Sequence, residues 1–505
     1  MQVRKRDQAE GTALAGLTGD APRKRPGGGF RAVGQRVGWG LSDQALSSAT
    51  NFGVTILIAR SVSQADYGSV TLAFATYLIA LNVHRGLSTD PLNVRFSHSE
   101  PPAWRRATAA ATGTALLVGL AFAVGCVIAG LLVEGPLRVS LLALGLCMPG
   151  LLLQDAWRLS FFTNGTGHNS FANDLLWAVL QISAFGVLIL TGNDSIGPLM
   201  LAWGGAAGVA ALFGIAQARL RPRPSQVPAW LKAQRDLAPQ YLAANLTVAG
   251  FGTAGAYGLG LVAGLGAVGA VRVTEQLVLG PLNVAFQGVN LMAVPEAVRM
   301  LRRGIRQLLA TALVAGVGLA LMAVAIGVAI LLMPDEWGRL LLKGAWEPAR
   351  ALVVPATITA AIVGLVSGAE IGLRALAQAN RSLATRLTTS TLTLTGTVGG
   401  GAVNGAKGAM WGLAGAEVLA VTIWWWQLLR GVRSHVRNGG PPPPPDATAP
   451  PSPPAPAPPG IGPEWNPGIT SPGMRLTIGD FVYHPPAAVD TKALPPDPSK
   501  PDGAR

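Results

Sequence analysis

Long apolar stretches follow one another along almost the whole of this chain. About twelve windows are long enough to cross a bilayer, which takes about 20 residues. They fall at 36–59, 67–89, 107–133, 138–161, 171–191, 196–217, 239–263, 267–294, 307–333, 351–376, 383–403 and 408–430. In hydrocarbon every backbone polar group must be satisfied within the segment, so such windows fold as helices. The expected fold is an all-α integral membrane protein with about 12 transmembrane helices. Composition agrees: of 505 residues, 50% are hydrophobic and 13% charged, against about 25% charged in soluble domains.

Basic residues orient the spans. Arg and Lys gather within 4–36, 95–106, 219–235, 299–306, 381–386 and 430–437. The alternate segments hold Arg60, Arg138, Arg339, Lys343, Arg350 and Lys407. By the positive-inside rule both termini are cytoplasmic. The net charge of +14 therefore reads as topology, and no nucleic-acid partner is expected. A basic, Pro-containing break at 218–238 follows the sixth span. It divides the chain into a segment at 1–35, a first six-helix bundle at 36–217, a linker at 218–238, a second bundle at 239–430 and a tail at 431–505. More than half of the 38 prolines lie after residue 440. That composition points to a disordered cytoplasmic tail with polyproline character, suited to a cytoplasmic partner or simply solvated.

No hydrolase triad, phosphate-binding glycine loop or zinc pattern stands out, so the chain is not read as an enzyme and needs no cofactor or metal. Cys126 and Cys147 sit in apolar stretches and read as packing residues. Ionisable residues at membrane depth are costly, and they mark the candidate chemistry. Asp43, Ser47, Asn51 and Thr55 recur every four residues, giving the first span a polar stripe. Asp43 either binds a cation or proton or pairs with an arginine. The second span carries Asn82, Arg85 and Thr89, with Asp90 following. The eighth begins with Arg272, Glu275 and Gln276, then has Asn283 and Gln287. Arg85 and Arg272, flanking a central cavity, would suit a diphosphate through their planar donor forks. The alternatives are an ion pair of Arg85 with Asp90 or its snorkelling toward water, and an interfacial Arg272 paired with Glu275. Arg158 is expected to clasp Asp155 or Asp174, and Glu370 to pair with Arg374 one helical turn on. Glu417 in the twelfth span has no assigned role.

Several stretches resemble a known family. Ser42-Asp43-Gln44-Ala45-Leu46-Ser47-Ser48, Asn51-Phe52, Ala59-Arg60-Ser61 and Asp66-Tyr67-Gly68 resemble the opening of polysaccharide flippases of the multidrug/oligosaccharidyl-lipid/polysaccharide exporter superfamily. Arg85-Gly86-Leu87, Thr89-Asp90-Pro91-Leu92, Gln154-Asp155-Ala156-Trp157-Arg158 and Asn173-Asp174-Leu175-Leu176-Trp177 resemble an actinobacterial branch of it. The resemblance implies two six-helix bundles related by a pseudo-twofold around a central cavity. It implies alternating access that moves a lipid-linked saccharide across the plasma membrane for cell-surface polysaccharide synthesis. Asp43, Arg85 and Arg272 then match cavity residues by span. Ser47, Asn51, Glu275, Asn283 and Gln287 would complete the cavity. Asp90, Asp155, Arg158, Asp174, Glu370 and Arg374 would form gates or structural ion pairs. The partners implied are the lipid-linked saccharide, membrane lipid and a coupling ion, H+ or Na+. A multidrug antiporter of the same architecture and a transport-inactive scaffold are the competing readings.

Overall fold

The computed structural model describes residues 30–97 and 99–437. The basic segment before residue 30 and the Pro-rich tail lie outside the described residues. The first half holds α1 (Phe30–Ser61), α2 (Gln64–Leu87), a short α3 (Thr89–Phe96), α4 (Pro101–Leu132), α5 (Pro136–Thr163), α6 (Gly167–Leu190) and α7 (Ile196–Ala218). A small α8 (Val227–Ala233) leads to the second half. That half holds α9 (Ala238–Arg303), α10 (Ile305–Leu332), α11 (Asp335–Leu342), α12 (Trp346–Arg350), α13 (Val353–Ala375) and α14 (Ala379–Arg437).

Each of the twelve expected spans lies on a helix, or on one pass of a helix, to within a few residues at its ends. Among the described residues, nine helices are long and apolar enough to cross a membrane by length and composition. Two of these make two passes each. α9 breaks at Gly264, whose φ of 81° lies in the region that favours glycine. α14 breaks at Asn404 and Gly405. α1, less apolar than the others because of its polar stripe, is the twelfth pass. The passes form two six-helix bundles, and the chain is an integral membrane protein.

Small residues let the helices approach closely, since lipid offers no hydrophobic drive for helix association. The seam between the halves is α2 against α9. A Cβ on Gly68 would overlap the Leu265 carbonyl oxygen, and one on Gly269 would overlap that of Gln64. At the other end of α2, Gly86 abuts Leu242. The two passes of α14 meet backbone to backbone through Gly396 with Gly412 and Gly400 with Gly408.

Arg95, Arg105, Arg106 and the 219–235 stretch lie at one end of the bundle, here termed the basic end. At the opposite end an apolar cluster joins the halves: Leu342, Trp346 and Ala349 pack with Ile58, Tyr67 and Val70. The 218–238 stretch, expected as a linker, is ordered onto the first half. Trp230 is fully buried among Leu92, Phe96 and Ala107, and its indole N–H donates to the Leu87 carbonyl at 2.9 Å. Arg95 donates to the Ala233 carbonyl at 2.6 Å and pairs with Asp236.

Candidate functional site

The first half concentrates buried ionisable groups near its basic end. Asp43 on α1 is 1% exposed. Its Oδ2 accepts from Arg158 Nη2 at 2.6 Å and Nε at 3.0 Å, and Ser170 donates to Oδ1 at 3.4 Å. Arg158 Nε also lies 3.0 Å from Asp174 on α6. One guanidinium on α5 thus ties together α1 and α6. Burying a carboxylate requires this compensation, because stranding a charge there costs about 3–5 kcal/mol.

Asp155, one helical turn before Arg158, faces α2. Arg85 grips it as a fork, with Nη2 2.6 Å from Oδ1 and Nε 2.9 Å from Oδ2. His84 is fully buried, and its Nε2 stands 3.3 Å from the same carboxylate without hydrogen bonding to it. Gln154 donates to Asp174 at 2.8 Å. Asn173 donates to Gln217 at 3.0 Å. The cluster holds the carboxylates Asp43, Asp155 and Asp174 against the guanidiniums Arg85 and Arg158, three acids to two guanidiniums.

These contacts revise several sequence expectations. The stripe on α1 divides: Asp43 is buried in an ion pair, Ser47 is half-buried and Asn51 is exposed. Arg85 pairs with Asp155 rather than Asp90. Asp90 is held instead by Asn245 of α9, which donates to Oδ2 at 2.7 Å, so it forms no ion pair among the described residues. Arg158 takes Asp174, one of its two expected partners, and Asp43 besides, leaving Asp155 to Arg85.

In the second half, Arg272 and Glu275 stand 3.5 Å apart on one face of α9. The Arg272 guanidinium lies 6.0 Å from the Phe74 ring of α2, across the seam. Further along, Gly280 meets the Phe52 ring of α1; a Cβ there would sit 2.7 Å from it. Asn283 is exposed. The side chain of Gln287 lies outside the described residues. Arg374 donates to Glu370 at 2.5 Å, and Arg386 of α14 shares that carboxylate. Glu417 is half-buried. Missed from sequence were the roles of Asn245, Gln217 and Arg386. Arg386 lies 16 residues from Glu370, beyond any helical periodicity, and no local signal links them.

No protein-family model matches this sequence, and no curated protein does. Solved structures share the fold, two of them with more than half of the maximum structural similarity. One is an inward-facing conformation of a multidrug resistance MATE family transporter of the MOP superfamily, at TM-score 0.58 and 13% identity, covering 76% of this chain and 94% of the other. The second is the lipid II flippase MurJ in an inward closed conformation, at TM-score 0.56 and 11% identity, covering 79% of this chain and 91% of the other. At these identities the likeness is one of fold. The fold itself defines the class, a twelve-pass membrane protein built as two six-helix bundles.

Proposed function

We propose that this chain is a flippase of the same superfamily, moving a polyprenyl-diphosphate-linked oligosaccharide across the plasma membrane by alternating access. The observation that carries this reading is the contact between the halves where α1 meets α9, beside the α2–α9 seam. Asn51 on α1 and Arg272, Glu275 and Asn283 on α9 are polar, partly exposed, and lie on the two helices joined at Phe52 and Gly280. A saccharide would meet the amides there, and Arg272 would supply a phosphate-binding fork. The basic end is cytoplasmic by its charge bias, so the substrate would enter from the cytoplasmic leaflet. The halves would then rock about the α2–α9 seam. The resemblance to an actinobacterial polysaccharide-flippase branch supports the substrate class. No enzymatic step and no cofactor is required.

The acid excess around Arg158 favours a second reading, a cation-coupled multidrug antiporter. In that case Asp43, Asp155, Asp174 and His84 would hold H+ or Na+, and the substrate would be a cationic small molecule. Flipping of a labelled polyprenyl-diphosphate oligosaccharide in proteoliposomes tests the first reading. Wild type should flip it, and Arg272→Ala should lower the rate at least about tenfold, the scale of one charge-assisted contact. Equal rates in wild type, variant and protein-free vesicles would reject it.

A further inference from the structure

The basic end of the second half carries cations that no carboxylate neutralises. In the first half, Arg85 and Arg158 are consumed by buried acids. In the second, Glu370 is shared by Arg374 and Arg386. Arg381 and Arg430 have no ion pair among the described residues. Both line a cavity of about 580 Å³ between the start of α14 and the end of its second pass. Each is held in place by neutral groups. Arg381 Nε donates to Gln378 Oε1 at 2.8 Å and Nη1 to Gln427 Oε1 at 3.0 Å. Gln378 is itself anchored by donating to the Gly431 carbonyl at 3.0 Å. The Arg430 guanidinium lies 3.9 Å from the centre of the Trp426 ring. These supports fix both guanidiniums without cancelling their charge, leaving donor N–H groups open to an anion.

The same two helical passes form a second cavity of about 580 Å³, lined by Thr388, Thr391, Thr395, Leu419, Thr422 and Ile423. Thr388 stands seven residues beyond Arg381, and Ile423 seven before Arg430. At 1.5 Å per residue that is about 10 Å along the helix, toward the middle of the membrane. The threonines leave this groove apolar. Their hydroxyls donate to their own helix backbone, Thr388 to Ala384, Thr391 to Leu387 and Thr422 to Leu419, so their methyl groups are free to form its walls. From Arg381 to Thr395 the path is about 20 Å, long enough for a head group and a chain within one leaflet of a hydrocarbon core about 30 Å thick.

We infer that Arg381 and Arg430 bind the phosphate of a membrane lipid whose hydrocarbon chain lies in the Thr388–Thr395 groove. Charge complementarity selects an anionic head, and the apolar groove selects an amphiphile over a free anion. The site lies on α14, away from the α2–α9 seam, and it stands whether or not the protein flips saccharide lipids.

Native mass spectrometry of the purified full chain in neutral detergent tests this. The titrants are phosphatidylglycerol, a polyprenyl diphosphate, inorganic phosphate and a neutral galactosyl diacylglycerol. Phosphatidylglycerol, polyprenyl diphosphate or both should be retained, and the ratio of their affinities identifies which source loads the site. The galactolipid and inorganic phosphate should not be retained. Arg381→Gln/Arg430→Gln should weaken retention at least about tenfold, as loss of two charge-assisted contacts requires. Thr391→Trp, which fills the groove, should do the same with both arginines intact. Circular dichroism and thermal melting of each variant establish that it is folded. Equal retention of all four titrants, retention of inorganic phosphate alone, or folded variants that bind like wild type would each overturn the inference. A protein that binds the lipid here yet flips nothing would contradict only the proposed function.

Discussion

Arg158 joins Asp43 across 115 residues of sequence, its Nη2 2.6 Å from a carboxylate that is 1% exposed. The pair fastens α5 to α1, and Asp174 brings in α6. Removing Arg158 leaves two acids buried and facing one another. Arg158→Ala should therefore cost about 3–5 kcal/mol, the usual penalty for an orphaned buried charge. Arg158→Ala/Asp43→Asn should cost less than the sum of its single changes, because the second change removes the charge that the first strands. Thermal unfolding of the four proteins in one detergent measures the coupling. Strictly additive losses would mean that the pair carries no stability of its own.

The α2–α9 seam depends on backbone contact. A methyl at Gly68 would overlap the Leu265 carbonyl, so Gly68→Ala should destabilise the protein by about 1–3 kcal/mol, the range for overpacking. Gly205 on α7 has open space, with nothing within 4 Å of where a Cβ would sit. Gly205→Ala should instead stabilise by about 0.5–1 kcal/mol, as alanine is the better helix former. Melting temperatures that move in opposite directions check both. Equal shifts would show that the seam tolerates a methyl.

Closure at the end opposite the basic end rests on Trp346. The ring is fully buried against α1 and α2 residues, and its N–H donates to Asp335 at 2.9 Å. Trp346→Ala should open this end. Ile58, 6% exposed, then becomes accessible. A single cysteine at Ile58, in a background with Cys126 and Cys147 replaced by serine, should react slowly with an impermeant maleimide in the parent and several-fold faster in Trp346→Ala. Trp337, 66% exposed, supplies a control, since Trp337→Ala should leave the rate unchanged.

The basic end gives a further expectation. The Trp230 indole binds the Leu87 carbonyl and Arg95 binds the Ala233 carbonyl, so the stretch between the halves is a brace. Arg95→Ala should loosen it and speed proteolysis within 219–235, while the membrane helices stay protected. Unchanged cleavage would show that the Trp230 contacts suffice.

The helices were legible because lipid imposes one demand on every span, and apolar length reports it directly. The breaks at Gly264 and at Asn404–Gly405 also fell between expected spans. The site was legible only in part. Periodicity identified Glu370 with Arg374 and Arg272 with Glu275, because those partners share a helix. It placed Asp90 beside Arg85 from nearness in sequence, yet α2 ends at Leu87, Asp90 stands in the first turn of the next helix, and the register of α2 against α5 delivers Asp155 instead. Which helix faces which is a tertiary fact, and spacing within a single helix carries no information about it. The acid excess of the first half appears only once Asp43, Asp155 and Asp174 are brought together.

Transport of two substrates by one preparation tests the central claim most directly. Proteoliposomes with a proton gradient are given a labelled polyprenyl-diphosphate oligosaccharide and, in parallel, a fluorescent cationic dye. The account expects the saccharide lipid to reach the opposite leaflet, with loss of that activity in Arg272→Ala and no gradient-driven movement of the dye. Dye transport without lipid flipping would contradict it and would favour the cation-antiporter reading.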